Sequence, residues 1–266
     1  VNLLAILDKS RFVGHLEGSE KELGLRILDL ASQAYERNEP TYSDFLDPRG
    51  QEIAVGIVRG TGFLAYRLDG GYRGAERQRL AVYPDYYPGE RVDIPLGAVN
   101  IEGTTEFVGV SHRDFLGAVL GCGIRREKTG DILPTDRGAQ VILAPEIMPV
   151  ITSQLQAVQK VPVVVEEIDL EQLEAAPLHV KEIRTTVASL RLDAVASAGF
   201  GTSRSQMLRE IKAGHVKVNW KSVDSPAYGI KVSDILSIRG RGRVEVAEEL
   251  GVTRRGRISL LLKRYT

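Results

Sequence analysis

Arg191-Leu192-Asp193, Thr202-Ser203-Arg204-Ser205 and Ile211-Lys212-Ala213-Gly214-His215-Val216-Lys217-Val218-Asn219 follow one another closely, and their order decides the fold of the C-terminal third. Arg191-Leu192-Asp193 opens a short helix with Ala194, Val195 and Ala198, and Gly199 is expected to close it. Thr202 to Ser205 supply small polar caps for a second helix through Gln206, Met207, Leu208 and Ile211, which Lys212-Ala213-Gly214 ends. His215 to Asn219 then alternate sides as a strand. Arg204, Arg209 and Lys212 lie near one helix, while His215, Lys217, Asn219 and Lys221 lie on or beside the strand. A helix N-terminus beside such cations suits a phosphate. Lys and Arg contacts to phosphate dominate affinity for nucleic acid.

Charge sorts along the chain in the same way. The 266 residues include 35 Lys or Arg and 35 Asp or Glu, a formal net charge of +0. Residues 181–266 hold 17 basic and 8 acidic side chains, or +9, whereas the residues before them hold 18 and 27, or −9. That asymmetry points to a polyanion-binding segment at the basic end. A hydrophobic content of 43% excludes disorder over the whole length. One cysteine excludes an internal disulfide framework and a four-cysteine zinc site. It also fits a reducing compartment, so a cytoplasmic protein is expected. No apolar run approaches the ~20 residues that span a bilayer. The apolar start, Val1 to Ser10, lacks a basic n-region and reads as part of a helix, with Leu3, Leu4, Leu7 and Phe12 on one face.

Upstream of the basic third, Glu166 to Pro177 reads as an acidic connector. Before it, strand and helix patterns alternate. Val99–Phe107 reads as a strand and Ser111–Leu120 as a helix capped by Ser111, with Phe115, Leu116 and Val119 on one face. Asp131–Pro134 and Gln140–Leu143 read as strands around a turn, Pro145 to about Val158 as a helix and Val161–Ile168 as a β-branched strand. The order β-α-β-β-α-β is that of a ferredoxin-like unit, which RNA-recognition-motif domains share. The aromatic pattern with which those domains stack bases is missing. Nearer the start, Glu20 to about Glu36 reads as a helix with Ser19 as its cap, Glu22 as capping-box partner and Leu23, Ile27, Leu30 and Ala34 as its apolar stripe. Asp47-Pro48-Arg49-Gly50 reads as a turn, followed by strands at Ile53–Val58, Phe63–Leu68 and Arg79–Tyr83. The expectation is an α+β protein in three regions: an N-terminal helical and strand region (1–96), a ferredoxin-like, RRM-like domain (97–170) and a basic C-terminal domain (180–266).

The C-terminal motif resembles the alpha-L RNA-binding motif of ribosomal protein S-four and its relatives, over roughly Leu190 to Val246. Gly70-Gly71-Tyr72-Arg73-Gly74-Ala75-Glu76-Arg77, Ser111-His112-Arg113-Asp114-Phe115-Leu116-Gly117 and Gly123-Ile124-Arg125-Arg126-Glu127-Lys128-Thr129-Gly130-Asp131-Ile132 narrow it further. Together they look like the YlmH family, including the subgroup called photosystem II S-four domain proteins. The resemblance implies a non-enzymatic protein that binds structured RNA (rRNA, tRNA) and the large ribosomal subunit. It also implies a link to ribosome quality control or, in phototrophs, to photosystem II biogenesis, with a stromal location in plastids. No residue here speaks to chlorophyll or thylakoid contact. The motif match and local charge assign RNA contact to Arg191, Ser203, Arg204, Gln206, Lys212, His215, Lys217 and Lys221. Arg73, Arg77, His112, Arg113, Arg125, Arg126 and Lys128 are the expected second set. Reversing charge at Arg204 and Lys217 is expected to weaken RNA binding without disturbing the fold.

Each cluster also has a plainer reading. Arg73 and Arg77, with Arg79, or Arg125, Arg126 and Lys128, fit solvated turns as well as phosphate contacts. His112-Arg113-Asp114 fits an RNA or interdomain contact, or a helix cap with a solvated face. A catalytic relay within that trio is disfavoured, because adjacent helix residues do not face one another. Gly240-Arg241-Gly242-Arg243 reads as a basic hairpin turn and Arg254-Arg255-Gly256-Arg257 as a nucleic-acid arm or a solvated turn, with partial RNA contact favoured for both. The alternative function is an RNA-modifying enzyme, since alpha-L modules are appended to pseudouridine synthases and rRNA methyltransferases. The chain shows no convincing cofactor loop, and Asp193 belongs to the alpha-L helix. No catalytic residue, cofactor or metal is therefore assigned, and nothing demands more than a monomer.

Overall fold

The computed structural model describes residues 9–104, 110–174, 180–238 and 241–265. The chain divides into two compact units, residues 1–176 and 177–266. The first unit therefore holds both the N-terminal region and the ferredoxin-like region that the sequence reading separates at residue 96.

The first unit starts with α1 (Lys9–Val13), α2 (Gly18–Arg37), β1 (Thr41–Leu46), α3 (Pro48–Thr61), β2 (Leu64–Asp69) and β3 (Gln78–Pro84). Leu3, Leu4 and Leu7 lie outside the described residues, and Phe12 is buried in α1. In α2 the stripe Ile27, Leu28, Ala31 and Ala34 is buried, but Ser19 is not its cap. The helix already starts at Gly18, behind Glu17, and no side chain caps it. The largest departure from expectation is α3. Asp47 Oδ1 accepts from the Gly50 amide at 2.8 Å and Pro48 fills the first helical turn. The dipeptide therefore starts a helix where a turn was expected. Ile53, Ala54, Ile57 and Val58 form its buried face, so the expected strand Ile53–Val58 is helical. Its β-branched residues follow a helical spacing that a short apolar run conceals. The sheet order is β1-β3-β2, antiparallel, and the helices bury Leu80 and Val82 of its central strand.

Next come β4 (Gly97–Gly103), α4 (His112–Gly121), β5 (Thr129–Thr135), β6 (Gly138–Leu143), α5 (Met148–Gln154), β7 (Ala157–Val158) and β8 (Val161–Ile168). Their order is β5-β6-β4-β8-β7 with antiparallel neighbours. The first four strands take the ferredoxin-like arrangement. Residues 105–109 of the expected strand Val99–Phe107 lie outside the described residues. The helix expected from Pro145 to Val158 is a 3-10 turn at Pro145–Ile147 followed by the short α5. The hairpin β7–β8 takes over beyond it, turning at Gln159 with φ +53°. Val99, Ile101, Val141 and Leu143 pack with Phe115, Val119 and Ile151 beneath the helices. Gly138 is fixed by close approach: a Cβ there would stand 1.8 Å from the Ile101 carbonyl oxygen.

The second unit comprises β9 (Val180–Val187), α6 (Leu192–Phe200), α7 (Arg204–Lys212), β10 (Val216–Val218), β11 (Lys221–Ser222), β12 (Ile235–Ile238), β13 (Gly242–Val252) and β14 (Ile258–Tyr265). Its sheet runs β11-β10-β12-β13-β14-β9, antiparallel throughout. Leu192, Val195, Met207 and Ile211 of the helices meet Val216, Leu236, Val244 and Leu260 of the strands. Gly199 does not close α6. It lies inside the helix, where a Cβ would come within 2.6 Å of Val244 Cγ1, and Gly201 at φ +65° is the terminator. Gly240 of the expected basic turn lies outside the described residues, and Gly242 opens β13.

Candidate nucleic-acid interface

The C-terminal motif is assembled around a buried carboxylate. Asp193 lies in the first turn of α6, and its side chain is only 4% exposed. Arg191 Nε donates to Asp193 Oδ1 at 3.2 Å, and Arg204 Nη2, from the first residue of α7, donates to Oδ2. Burial pushes the Asp193 carboxyl up, but the bonds from Arg204 and Arg191 outweigh it and hold the group below the ordinary carboxylate range. Each arginine keeps donors that Asp193 does not use, and their side chains are 46% and 54% exposed. The result is a pair of guanidinium forks, oriented from below and presented to solvent, a geometry that matches phosphate oxygens. Arg204 is thus a brace as well as a candidate contact. A carboxylate in its place would face Asp193 directly, which corrects the expectation that its reversal spares the fold.

The remaining motif residues fall into distinct settings. Ser203 Oγ accepts from the Gln206 amide at 3.2 Å and caps α7, so Ser203 and Gln206 define the helix start. Lys212 is exposed at the other end of α7. His215 Nδ1 lies 2.9 Å from Glu210 Oε2, which ties the strand entrance to the helix. Lys217 is exposed between buried Val216 and Val218. Lys221 pairs with Val218 across a two-residue turn in which Asn219 and Trp220 have φ of 48° and 63°. Paired residues share a sheet face, so Lys221 and Lys217 stand on opposite faces of the hairpin. Asn219 is structural: its Oδ1 accepts from Ile235 N and its Nδ2 donates to Asp234. Asp193, Glu210, Asp234 and Glu245 all serve as internal braces. Among the described residues, Arg209, Lys212, Lys217 and Lys221 have no such brace.

The first unit treats its cations differently. Asp131, on β5, accepts the amides of Glu76 and Arg77 and the Tyr72 hydroxyl, and so pins the glycine-rich loop 70–77. Arg77 donates to the carbonyls of Thr129 and Phe45, and Arg126 to those of Thr129 and Gly130. Burial lowers both arginine pKa values, and Arg126 is lowered further by Arg77 beside it. Lys128 lies 2.6 Å from Asp44 and 2.7 Å from Glu146. Arg79 is buried and donates to the carbonyls of Ser43 and Pro95. Sequence proximity therefore groups cations that the fold turns toward its own carbonyls and carboxylates. Arg73, His112, Arg113 and Arg125 remain exposed. Asp114 is the capping partner of Ser111, whose hydroxyl and amide both donate to it, and the Ser111 hydroxyl, then the Gln159 side chain, then the Ser111 amide bring its carboxyl down to about 2.

The sheet face on which RNA-recognition motifs stack bases is otherwise occupied here. Gln140 Nε2 donates to Gln172 O and its Oε1 accepts from Glu174 N, so residues 172–174 lie against that face. Ile142 packs with Phe45, Tyr72 and Leu173. Asn100 pairs with Glu166, and Glu102 with Val164, which leaves the uncovered part acidic. Among the described residues no cluster of three or more His, Cys, Asp and Glu side chains is placed to hold a metal ion, and no helix is long and apolar enough to cross a membrane.

Three family descriptions match successive parts of the chain: "YlmH, N-terminal" over residues 19–87, "Putative RNA-binding domain in YlmH" over 90–172 and "S4 domain" over 190–236. The ribosome-associated protein quality control protein P2 of Bacillus subtilis is 34% identical over 250 residues, covering 94% of this chain and 97% of that one. Small ribosomal subunit protein uS4 of Acidithiobacillus ferrooxidans is 35% identical over 66 residues, 24% of this chain and 32% of its own. Among solved structures, the cell division protein ylmH from Streptococcus pneumoniae aligns with a TM-score of 0.51 at 23% identity, over 60% of this chain and 98% of that one, a likeness of fold. With an alignment to the Bacillus protein that is 34% identical over nearly the full length of both, and all three descriptions in order, the chain belongs to the YlmH family.

Proposed function

We propose that the protein is a non-enzymatic RNA-binding factor of the ribosome, which grips structured RNA through its C-terminal unit. The observation that carries this reading is the buried Asp193, which holds Arg191 and Arg204 with their remaining donors at the surface. Shape and phosphate recognition by such forks suits folded RNA. Lys212, Lys217 and His215 add outward positive or donor groups further along the motif. Of the second set of candidates, Arg73, Arg113 and Arg125 are the exposed arginines available for a second contact, and two linked sites act at raised effective concentration. The name of the Bacillus relative supports a ribosomal setting and a role in quality control. Binding to the large subunit with its peptidyl-tRNA is the finer form of the proposal. The buried, doubly paired Asp193 does not favour the pseudouridine-synthase alternative, in which an aspartate must reach a base.

The test is sedimentation of lysate through a sucrose gradient, with the protein followed across subunit, monosome and polysome fractions. Wild type is expected with the large subunit. The Arg191→Lys/Arg204→Lys variant keeps charge against Asp193 but loses the fork, and it is expected to move to the top of the gradient. With about five phosphates neutralised, log affinity falls with log salt at a slope of roughly −3 to −4. Wild type at the top of the gradient at low salt would reject the proposal.

A further inference from the structure

The β13–β14 hairpin lies wholly beyond the segment matched to the S4 domain, which stops at residue 236. Both strands continue past the part that β12 covers. Ile235 pairs with Glu245, and from Glu248 onward β13 has β14 as its partner, out to Val252 opposite Ile258. The loop that joins them is a closed structure. Thr253 N donates to Arg257 O at 2.7 Å, Gly256 N to Thr253 O at 2.9 Å and Arg257 N to Thr253 Oγ1 at 3.1 Å. Gly256 takes φ +70°, the left-handed residue that ends a three-residue hairpin loop.

Arg257 does not point away with its neighbours. Its Nη2 donates to Thr186 O at 2.6 Å and its Nε to Thr186 Oγ1 at 3.1 Å, which fastens the loop to the end of β9. Arg254 and Arg255 occupy the crest, both exposed, with no hydrogen bond or ion pair among the described residues. The nearest acidic residues in sequence, Glu248 and Glu249, sit several rungs back, opposite Leu261 and Leu260. The crest lies at the Arg191 end of the unit. Ile258 pairs with Val187, and four further residues lead to Arg191, a span of at most about 14 Å. At the opposite end, Arg264 Nη1 donates to Phe200 O at the far end of α6.

We propose that this loop is a second phosphate-binding element for structured RNA, with Arg254 and Arg255 as its contacts, working beside the Asp193-held pair. The inference rests on the RNA-binding reading and extends it to residues outside the matched motif. A closed loop tethered through Arg257 costs little ordering on binding, so its two cations are worth more than the same pair on a free tail.

The experiment measures affinity of the full-length protein for a labelled duplex RNA stem-loop and for purified bacterial large ribosomal subunits, as a function of salt. Four proteins are compared: wild type, Arg254→Gln/Arg255→Gln, Arg191→Lys/Arg204→Lys, and Lys181→Gln/Arg184→Gln as a control of equal charge change on β9. The loop variant is expected to bind several-fold more weakly, with a salt slope shallower by roughly 1.5 to 2, the contribution of two phosphates. Its melting temperature is expected to match wild type. A loop variant with the affinity and slope of wild type, or of the β9 control, overturns the inference while leaving the RNA-binding reading intact. Wild type that binds neither probe at low salt overturns the reading itself, and the inference with it.

Discussion

Asp131 and Asp193 do the same electrostatic work to opposite ends. Each is a carboxylate surrounded by arginines and lysines that the sequence alone offers as phosphate ligands. Around Asp131 the donors turn inward: Arg77, Arg126 and Lys128 bond backbone carbonyls or carboxylates of the first unit. Around Asp193 the arginines are held from beneath and keep part of their forks in water. The difference lies in where the partner atoms are. Carbonyls of a folded loop draw in two nitrogens of Arg77 and one of Arg126 and half-bury both side chains, whereas one buried carboxylate uses one nitrogen of each arginine at the surface. A basic residue in a motif is thus a ligand only after its internal bonds have been counted.

That contrast can be broken by substitution. Asp131→Ala has the largest expected effect, because it strips two backbone amides and a tyrosine hydroxyl of their acceptor at once. A loss of about 3–5 kcal/mol from the first unit is expected in chemical denaturation. Affinity of the second unit for RNA should be unaffected. If Asp131→Ala instead removed RNA binding while the first unit stayed folded, the two carboxylates would not be opposites. Asp193→Asn comes next: it keeps the shape but weakens both arginine bonds, for about 1.5–3 kcal/mol, and RNA affinity should drop about tenfold. The acid limb follows from the same group. Its folded pKa is depressed, so its contribution is present above the unfolded value near 3.9 and is lost as pH falls through the lower folded value. Asp193→Asn should therefore flatten the loss of stability below about pH 4, followed by circular dichroism. Lys217→Ala sharpens the comparison from the other side, since it is expected to change stability by less than about 0.5 kcal/mol while cutting RNA affinity. Arg126→Ala should do the reverse.

The smallest effect concerns the alkaline side. Burial, then the hydrogen bond to Glu245, pushes Tyr265 up to about 12. A raised folded value means that its contribution is complete below the unfolded value near 10 and fades as pH rises from there to about 12. Tyr265→Phe should remove that fade at a cost of about 1 kcal/mol near neutrality, measured by melts across the range.

The C-terminal motif was legible because its signals are local. The Ser203 cap, the strand alternation at Val216 to Val218 and the glycine at 214 each sit within a few residues of what they specify. β8 was legible at Val161–Ile168 because its β-branched run is unambiguous. The α3 helix was missed because Asp47-Pro48 serves equally well as a turn and as a cap, and only the sheet beneath decides between them. The use of Arg77 was not legible, because its side chain bonds carbonyls 52 and 32 residues away, and Arg126, though its acceptors lie only three and four residues on, sits in a run of charges that reads as a solvated turn. The braced carboxylate did leave a trace: Asp193 is the one charged residue in an otherwise apolar or small helix, with Arg191 and Arg204 on either side. An acid placed where a core residue belongs is a request for partners.

The order of strands in the second unit carries a consequence for when it can mature during synthesis. β9 is made first among its strands, yet it pairs along its whole length with β14, the last of them, from Val187 opposite Ile258 to Val180 opposite Tyr265. The helices that carry the arginines emerge between the two. A nascent chain can therefore form α6 and α7 early, but the sheet edge closes only when β14 has cleared the exit tunnel. Pairing at such separation is the slow, late step of folding. A chain cut short anywhere before residue 258 leaves β9 unpaired, with its hydrogen-bonding edge open. The protein's RNA grip would then be completed only by copies whose own translation has run past that strand.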